Sequence, residues 1–360
     1  MLNRLEVAIW ARLRAASRAA SAPPRALPVA TPAARWAALP PETREKRERE
    51  PGNAACAARA VAAPPEQLQQ PGDVLQYVRP ASLPRVRAPR DAPPILVLPG
   101  FGNEASDYLA PFGVEEASLA AALRSRGYAV HVLPLERKDW FKVAGGLLSP
   151  NFYAGQCTAD EGYGWYLRRV AAELERVRER TGAERVTLCG HSAGGWLARA
   201  FVGDARFGAT DEGPVPGVAA VVSLGTPHLP PPPGVFDVTR GALHWLNDTL
   251  PGSHFAPHGV RYVSVAGRTV RGRAGVEAGP VKYATTSYGA LLGAAEGVLG
   301  DAVVPLHCAL LPGATQLVLD GVWHSMSKVG TFDTASNVVW YGSDAVCDHW
   351  LRALHAADDA

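Results

Sequence analysis

The sequence GHSAG at residues 190–194 has the residue types that expose a nucleophilic serine. It follows a short apolar run at 185–189 and precedes a helical pattern, so the G-x-S-x-G spacing falls between a predicted strand and a predicted helix. A turn sharp enough to expose the hydroxyl of Ser192 strains its backbone, and small neighbours leave room for the strand and the helix. We predict Ser192 as the nucleophile of an elbow that also includes Gly190, His191 and Gly194.

A serine hydroxyl attacks at neutral pH only when a histidine accepts its proton and a carboxylate orients that histidine. With this elbow pattern the acid and the base follow the serine along the chain, at the ends of later strands. Asp301 and His324 fit that order and are predicted to complete a triad with Ser192. The alternatives are Asp320, which lies too near His324 in the same segment, and His307, which precedes the last predicted strand.

Negative charge that develops on a carbonyl oxygen during attack needs two backbone N–H groups aimed at it. Ala193, directly after the serine, is predicted to supply one of them. The other is expected from the loop at 99–103, where two glycines let the backbone approach closely, and we predict that Phe101 supplies it. An ordinary turn that ends a strand is the alternative interpretation of this loop.

Short apolar runs alternate along the chain with segments of helical periodicity. We predict strands at 95–98, 129–133, 185–189, 218–224, 260–266 and 316–319, and helices at 117–126, 163–180, 194–203 and 345–356. This alternation predicts an α/β fold with a doubly wound, mostly parallel sheet. The carboxyl ends of parallel strands meet at one edge, so the candidate site residues are expected to gather there.

Four motifs resemble those of the α/β-hydrolase family, in particular of its lipase-like and GPI inositol-deacylase-like members. They are LPGFGN at 98–103, GHSAGGWLAR at 190–199, SLGTPH at 223–228 and GDAVVP at 300–305, and the resemblance spans about residues 93–356. It implies an α/β-hydrolase fold with cap or lid insertions, and hydrolysis of a carboxylic ester through an acyl-enzyme. It also implies that Thr226, Pro227 and His228 form a structural turn. The run LPPPPG at 229–234 departs from the lipase pattern, in which Gly-Ser often follows the histidine.

Two segments rich in aromatic residues lie outside the predicted strands, at 139–153 and at 244–255. They suit a cap over the site that lines an apolar pocket for an acyl chain. Ordinary loop packing explains them equally well.

The resemblance implies an acyl-ester or lipid substrate and no cofactor. A thioesterase or an amidase on the same triad is the alternative, because the nucleophile does not identify the leaving group. A hydrolase fold used only for binding is a further alternative, which the complete triad disfavours.

The charges of the chain nearly balance, with 36 Lys+Arg against 34 Asp+Glu and a formal net charge of +2. A partner held by charge alone, such as a nucleic acid, is therefore not expected. We find no apolar run of the roughly 18 residues that a transmembrane segment requires, so membrane contact is expected to be peripheral. The five cysteines include no CxxC pair, which argues against a disulfide framework and a zinc site, and no metal is expected.

Residues 1–70 are dominated by Ala, Arg and Pro, and the only acidic residue before Glu42 is Glu6. An arginine-rich, acid-poor start that can form a short amphipathic helix is typical of an organelle transit peptide. We predict a transit peptide and disordered region at 1–70, a linker at 71–92 and the α/β-hydrolase domain at 93–356. Import into the chloroplast is expected, with the mitochondrion as the alternative organelle and an untargeted disordered tail as the alternative to targeting.

Overall fold

A computed structural model describes residues 74–78, 83–326 and 338–356 of the chain. The transit peptide and disordered region predicted for 1–70 lie outside these described residues. Among the helices that the described ranges contain, none is long and apolar enough to cross a membrane.

Seven strands form one parallel sheet. They are β1 (Val74–Val78), β2 (Ile95–Leu98), β3 (Val130–Val132), β4 (Val186–His191), β5 (Val218–Leu224), β6 (Arg261–Arg268) and β9 (Thr315–Asp320), while β7 (Val270–Arg271) and β8 (Leu299–Gly300) form a separate antiparallel pair. The order in the sheet is β1-β9-β6-β5-β4-β2-β3, and every pairing in it is parallel. The predicted doubly wound parallel sheet is confirmed.

Helices connect the strands. They are α1 (Ser106–Leu109), α2 (Leu119–Arg124), α3 (Pro150–Ala154), α4 (Ala159–Thr181), α5 (Ala193–Val202), α6 (Ala242–Thr249), α7 (Gly279–Leu292) and α8 (Asp344–His355). Short 3-10 turns occupy Pro111–Gly113, Glu115–Ala117, Ala205–Phe207, Ala256–His258 and Leu306–Ala309, and a longer 3-10 segment occupies Arg137–Leu148. The longest helix, α4, begins after Thr158, which forms a capping box with Glu161, and ends at Gly182 with a φ of 70°.

The sheet is buried on both faces, which explains the near-continuous apolar runs of its strands. In β2, Leu96 and Leu98 face one core cluster, which is completed by apolar side chains of α4 and α5. Ile95 and Val97 face the opposite cluster, completed by side chains of α2 and α8. The alternating faces of each strand thus fix helices on both sides of the sheet.

The strand order reverses at β2, which pairs with β3 on one side and with β4 on the other. The loops that follow β2 and β4 leave the sheet at its carboxyl edge, next to each other. In open α/β sheets this switch point opens a crevice in which ligands bind. The predicted elbow follows β4 and the predicted oxyanion loop follows β2, so both lie at this crevice.

The segment 71–92, predicted as a linker, contains elements of the sheet domain. Strand β1 pairs with the edge of β9, with Val74 opposite Thr315. Farther along, the backbone N–H of Val86 donates to Asp348 Oδ1 at 2.7 Å, and Arg85 forms an ion pair with Asp344 at 2.8 Å. Local pattern does not reveal β1, because it pairs through its main chain with a strand that lies more than two hundred residues farther along the chain.

Candidate active site

Ser192 occupies the turn between β4 and α5, with φ 52° and ψ −126°. A positive φ is uncommon for a residue other than glycine and marks a strained position. The neighbours must be small, since a Cβ on Gly190 would collide with the backbone of Gly194, and one on Gly194 would collide with the carbonyl of Leu98. Ser192 is partly exposed, whereas His191 and Ala193 beside it are buried. The strained turn thus leaves the serine accessible at the carboxyl edge of the sheet.

The structure brings Asp301 and His324 together. The Nδ1 of His324 lies 2.8 Å from Oδ2 of Asp301, and its backbone N–H donates to the Asp301 carbonyl at 2.9 Å. The other carboxylate oxygen, Oδ1, accepts from the backbone N–H groups of Val303 at 3.0 Å and Val304 at 2.7 Å. The carboxylate accepts a hydrogen bond from Nδ1–H, and in that tautomer Nε2 keeps its lone pair and can accept a proton from a serine.

The two alternatives lie elsewhere. Asp320, at the end of β9, pairs with Arg268 at 2.6 Å, an ion pair whose side chains are about a third exposed, at 32% and 33%. His307 has its Nε2 3.5 Å from Sγ of Cys308. The geometry therefore favours Asp301 over Asp320 as the partner of His324.

The loop after β2 touches Ser192. A Cβ on Gly100 would lie 2.7 Å from Cβ of Ser192 and 2.9 Å from the carbonyl of His191, so only glycine allows this approach. The backbone N–H of Asn103 donates to the Gly100 carbonyl at 3.0 Å and closes a tight turn around Phe101. The loop that contains Phe101 thus runs against the turn of Ser192 at the start of α5.

Comparisons with known proteins agree with this architecture. A family model described as the α/β hydrolase fold matches residues 147–289, which include the elbow and β5 but neither Asp301 nor His324. The chain has the α/β-hydrolase fold. The resemblance to that superfamily is therefore confirmed. The narrower resemblance to lipase-like and GPI inositol-deacylase-like members also implies an activity, and that part stays a prediction.

Solved structures similar to this chain are distant. The mature lipase BlEst2 of Bacillus licheniformis is 16% identical over 77% of this chain and 95% of its own, with a TM-score of 0.42. A metagenomic carboxyl esterase, MGS0156, is 16% identical over 76% of this chain and 78% of its own, with a TM-score of 0.44. No significant match is found among curated proteins. Likenesses this weak carry no argument about activity, which has to come from the site itself.

A buried histidine connects the nucleophile turn to the predicted base. Nε2 of His191 lies 2.7 Å from the carbonyl of His324, and because a carbonyl only accepts, Nε2 carries the proton. Nδ1 of the same ring therefore accepts from the hydroxyl of Tyr108 at 2.8 Å, and that hydroxyl accepts from the Gly100 N–H at 3.1 Å. Burial lowers the pKa of His191 to about 3, so the ring stays neutral near pH 7. This chain of bonds joins the loop after β2 to the segment of His324.

His228 lies apart from the Asp301–His324 pair. Its Nε2 is 2.9 Å from Oγ of Ser223 and its Nδ1 is 3.4 Å from Nη1 of Arg199, while Asn247 donates to its carbonyl at 2.8 Å. Burial lowers the pKa of His228 and keeps it neutral. These contacts join β5, α5 and α6, which is the structural role that the resemblance implies.

The aromatic segments divide into packed and exposed members. Trp140 is fully buried, contacts Phe101 with ring centroids 5.0 Å apart, and donates from Nε1 to the carbonyl of Asn103 at 2.8 Å. Phe255 is buried in the core, so for both of these residues ordinary packing is the correct interpretation. Phe141 and Tyr153 remain 52% and 51% exposed and are the members still available to a cap.

Four cysteines have their thiols free and buried, namely Cys157, Cys189, Cys308 and Cys347, while Cys56 lies outside the described residues. Within the part of the chain that the structure describes, no group of three or more His, Cys, Asp or Glu side chains is placed to hold a metal ion.

Sequence reasoning missed two tyrosines of the site. Tyr108 lies in the four-residue helix α1, and Tyr341 lies just before α8 and bonds to Asp301. Neither belongs to a motif, and no local pattern connects them to the triad. The signal that the sequence offers for Tyr108 is His191, at the second position of the elbow. A buried imidazole needs hydrogen-bond partners for both ring nitrogens, and one of these partners is the Tyr108 hydroxyl.

Proposed function

We propose that this protein is a serine hydrolase that cleaves carboxylic esters of acyl or lipid substrates through an acyl-enzyme. The observation that carries the proposal is the 2.8 Å contact between His324 Nδ1 and Asp301 Oδ2, in a segment bonded to the residue before Ser192. A strained serine, an oriented histidine and an ionisable carboxylate at the carboxyl edge of one sheet are the parts that acyl transfer needs.

In the first half of the proposed reaction, Oγ of Ser192 attacks the carbonyl carbon of the ester and its proton passes to Nε2 of His324. Asp301 stabilises the imidazolium that forms. The tetrahedral oxyanion accepts from the backbone N–H groups of Ala193 and Phe101. When the carbon–oxygen bond breaks, His324 returns the proton to the leaving alcohol, and the acyl group stays on Ser192.

The second half repeats these steps with water. Nε2 of His324 accepts a proton from the water that attacks the acyl carbon, and then returns it to Oγ of Ser192 as the carboxylic acid leaves. The enzyme is restored and the proton count balances. Each residue is used twice, so the loss of any one affects both halves.

A fluorophosphonate probe tests this proposal, because it phosphonylates only a serine that is activated as a nucleophile. We expect labelling of the folded protein, loss of labelling after heat denaturation, and a modified peptide that contains Ser192. Absence of labelling, together with absence of ester hydrolysis, would support the alternative of a hydrolase fold used only for binding.

The leaving group is tested separately. Matched acyl chains presented as an ester, a thioester and an amide, each over a range of chain lengths, give kcat/KM for the three chemistries. We expect the ester to be the best substrate. A thioester or amide preferred at every chain length would instead identify a thioesterase or an amidase on the same residues.

We also propose that residues 1–70 direct import into the chloroplast and are removed there, on the composition of that segment alone. A fusion of these residues to a fluorescent reporter is expected to give a plastid signal and a shortened reporter. A diffuse cytosolic signal with an intact amino terminus would reject targeting, and a mitochondrial signal would change the organelle only.

A further inference from the structure

Tyr341 makes a direct contact with the carboxylate that orients His324. Its hydroxyl lies 2.8 Å from Oδ2 of Asp301, the same oxygen that Nδ1 of His324 approaches at 2.8 Å. Oδ1 is occupied by two backbone N–H groups. Tyr341 therefore shares with His324 the one carboxylate oxygen that faces the predicted base.

The direction of the Tyr341 hydrogen bond follows from a third group. The backbone N–H of Gly267 lies 2.6 Å from the Tyr341 hydroxyl oxygen, and an N–H can only donate. The hydroxyl accepts there, so its own proton is available for Oδ2 of Asp301. Burial raises the pKa of Tyr341, which keeps the hydroxyl protonated as a donor.

The surrounding backbone makes room for this contact. Tyr341 is fully buried, and a Cβ on Gly225 would lie 2.5 Å from its ring and 2.7 Å from Oδ2 of Asp301. A Cβ on Gly267 would lie 2.9 Å from the hydroxyl oxygen. The ends of β5 and β6 thus carry glycine where the tyrosine and the carboxylate meet, and the phenol is held in one position.

We propose that Tyr341 is a positioning residue that lowers the basicity of His324 by holding a second proton against Oδ2 of Asp301. The inference rests on the proposed function, in which His324 is the base. A donor on Oδ2 draws charge from that oxygen, so the carboxylate stabilises the imidazolium less strongly. When the donor is removed, more charge faces Nδ1 and the imidazolium becomes more stable.

Among the described residues, the other titratable groups around Asp301 have their own hydrogen-bond or ion-pair partners. His191 faces the pair from β4 and stays neutral, and Tyr288 of α7 accepts from the Ala302 N–H at 2.9 Å without bonding the carboxylate. The charged groups next along β6 and β9, Arg268 and Asp320, form a pair with each other. Within the part of the chain that the structure describes, Tyr341 is therefore the side chain besides His324 that hydrogen-bonds Oδ2.

The test compares Tyr341→Phe with Tyr288→Phe. Both remove one buried hydroxyl near the Asp301 loop, but only the first removes a proton from Oδ2. We expect Tyr341→Phe to move the acidic limb of the kcat/KM profile upward by roughly 0.5 to 1 pH unit, which lowers relative activity on that limb about three- to tenfold. Tyr288→Phe is expected to leave the acidic limb of the kcat/KM profile in place, even if it changes the plateau value of kcat/KM.

An NMR titration of His324 in the same variants gives a readout that needs no substrate. The pH midpoint of the His324 titration is expected to be higher in Tyr341→Phe than in wild type, and unchanged in Tyr288→Phe. If Tyr341→Phe does not fold, 3-fluorotyrosine incorporated throughout supplies a stronger donor, and the titration midpoint of His324 is expected to fall.

A purely structural role of Tyr341 predicts a different result. The plateau of the kcat/KM profile would be lower, while its acidic limb and the titration midpoint of His324 would not move. That result overturns the inference. Wild-type protein that hydrolyses no ester would refute the proposed function, while the titration would still decide the role of Tyr341.

Discussion

Replacement of Ser192 with alanine is expected to lower kcat for ester hydrolysis by about 10⁴- to 10⁶-fold while the fold stays intact. The hydroxyl is the atom of the elbow suited to form the acyl bond, since Ala193 has no nucleophilic atom and His191 is buried with both ring nitrogens hydrogen-bonded. Alanine keeps a Cβ at the strained φ of 52° and adds no bulk against Gly100. The change should therefore act on the chemistry and leave the packing of the turn unaltered.

Kinetics with a soluble ester, circular dichroism and thermal unfolding together check this prediction. Ser106→Ala is the matched control, because Ser106 is exposed at the start of α1 and its hydroxyl bonds only Glu104 at 3.1 Å. That variant is expected to keep wild-type kcat. If folded Ser192→Ala retains activity within tenfold of wild type, the acyl-enzyme mechanism on this serine is wrong.

The sequence was sufficient to predict the parts of the fold that local pattern determines. Apolar runs such as 95–98 and 218–224 are strands buried on both faces, and each ends in residues that cannot continue it. Once the strands are parallel, their carboxyl ends share an edge, and the elbow pattern predicts the acid and the base after Ser192 along the chain, which selects Asp301 and His324. The choice of Asp301 over Asp320 came from that order. In the structure, Asp301 bonds His324 and Asp320 bonds Arg268.

The sequence was not sufficient where a contact depends on a distant segment. Tyr341 contacts Asp301 because Gly225 and Gly267 leave space at the ends of two strands. No residue spacing in the sequence predicts that contact. Strand β1 was missed for the same reason, since β9 supplies its partner groups. Helix α7 has only two buried side chains, Ala284 and Tyr288, so its hydrophobic pattern is weak.

The second large effect concerns Asp301→Asn, which is expected to lower kcat by at least about 10²-fold. Oδ1 of Asp301 accepts two backbone N–H groups, so an asparagine oxygen is retained there and the NH₂ group takes the place of Oδ2. That NH₂ group would face Nδ1 of His324, which must then accept a hydrogen bond through its lone pair. The ring proton would therefore lie on Nε2, which could no longer accept a proton from Ser192. A change of this kind costs about 10⁴-fold in serine proteases, through the wrong tautomer.

Asp320→Asn provides the comparison, measured on folded protein with the same ester. Asp320 pairs with Arg268 in an ion pair about a third exposed, so its neutralisation is expected to change stability by no more than about 1 kcal/mol and to leave kcat near wild type. The two variants remove the same charge from two aspartates that lie 19 residues apart along the chain. If a general loss of negative charge near the sheet edge were the cause, both variants would lose kcat equally. If control of the His324 tautomer is the cause, only the loss of the oxygen that contacts Nδ1 lowers kcat. The reverse ranking would therefore assign the acid to Asp320.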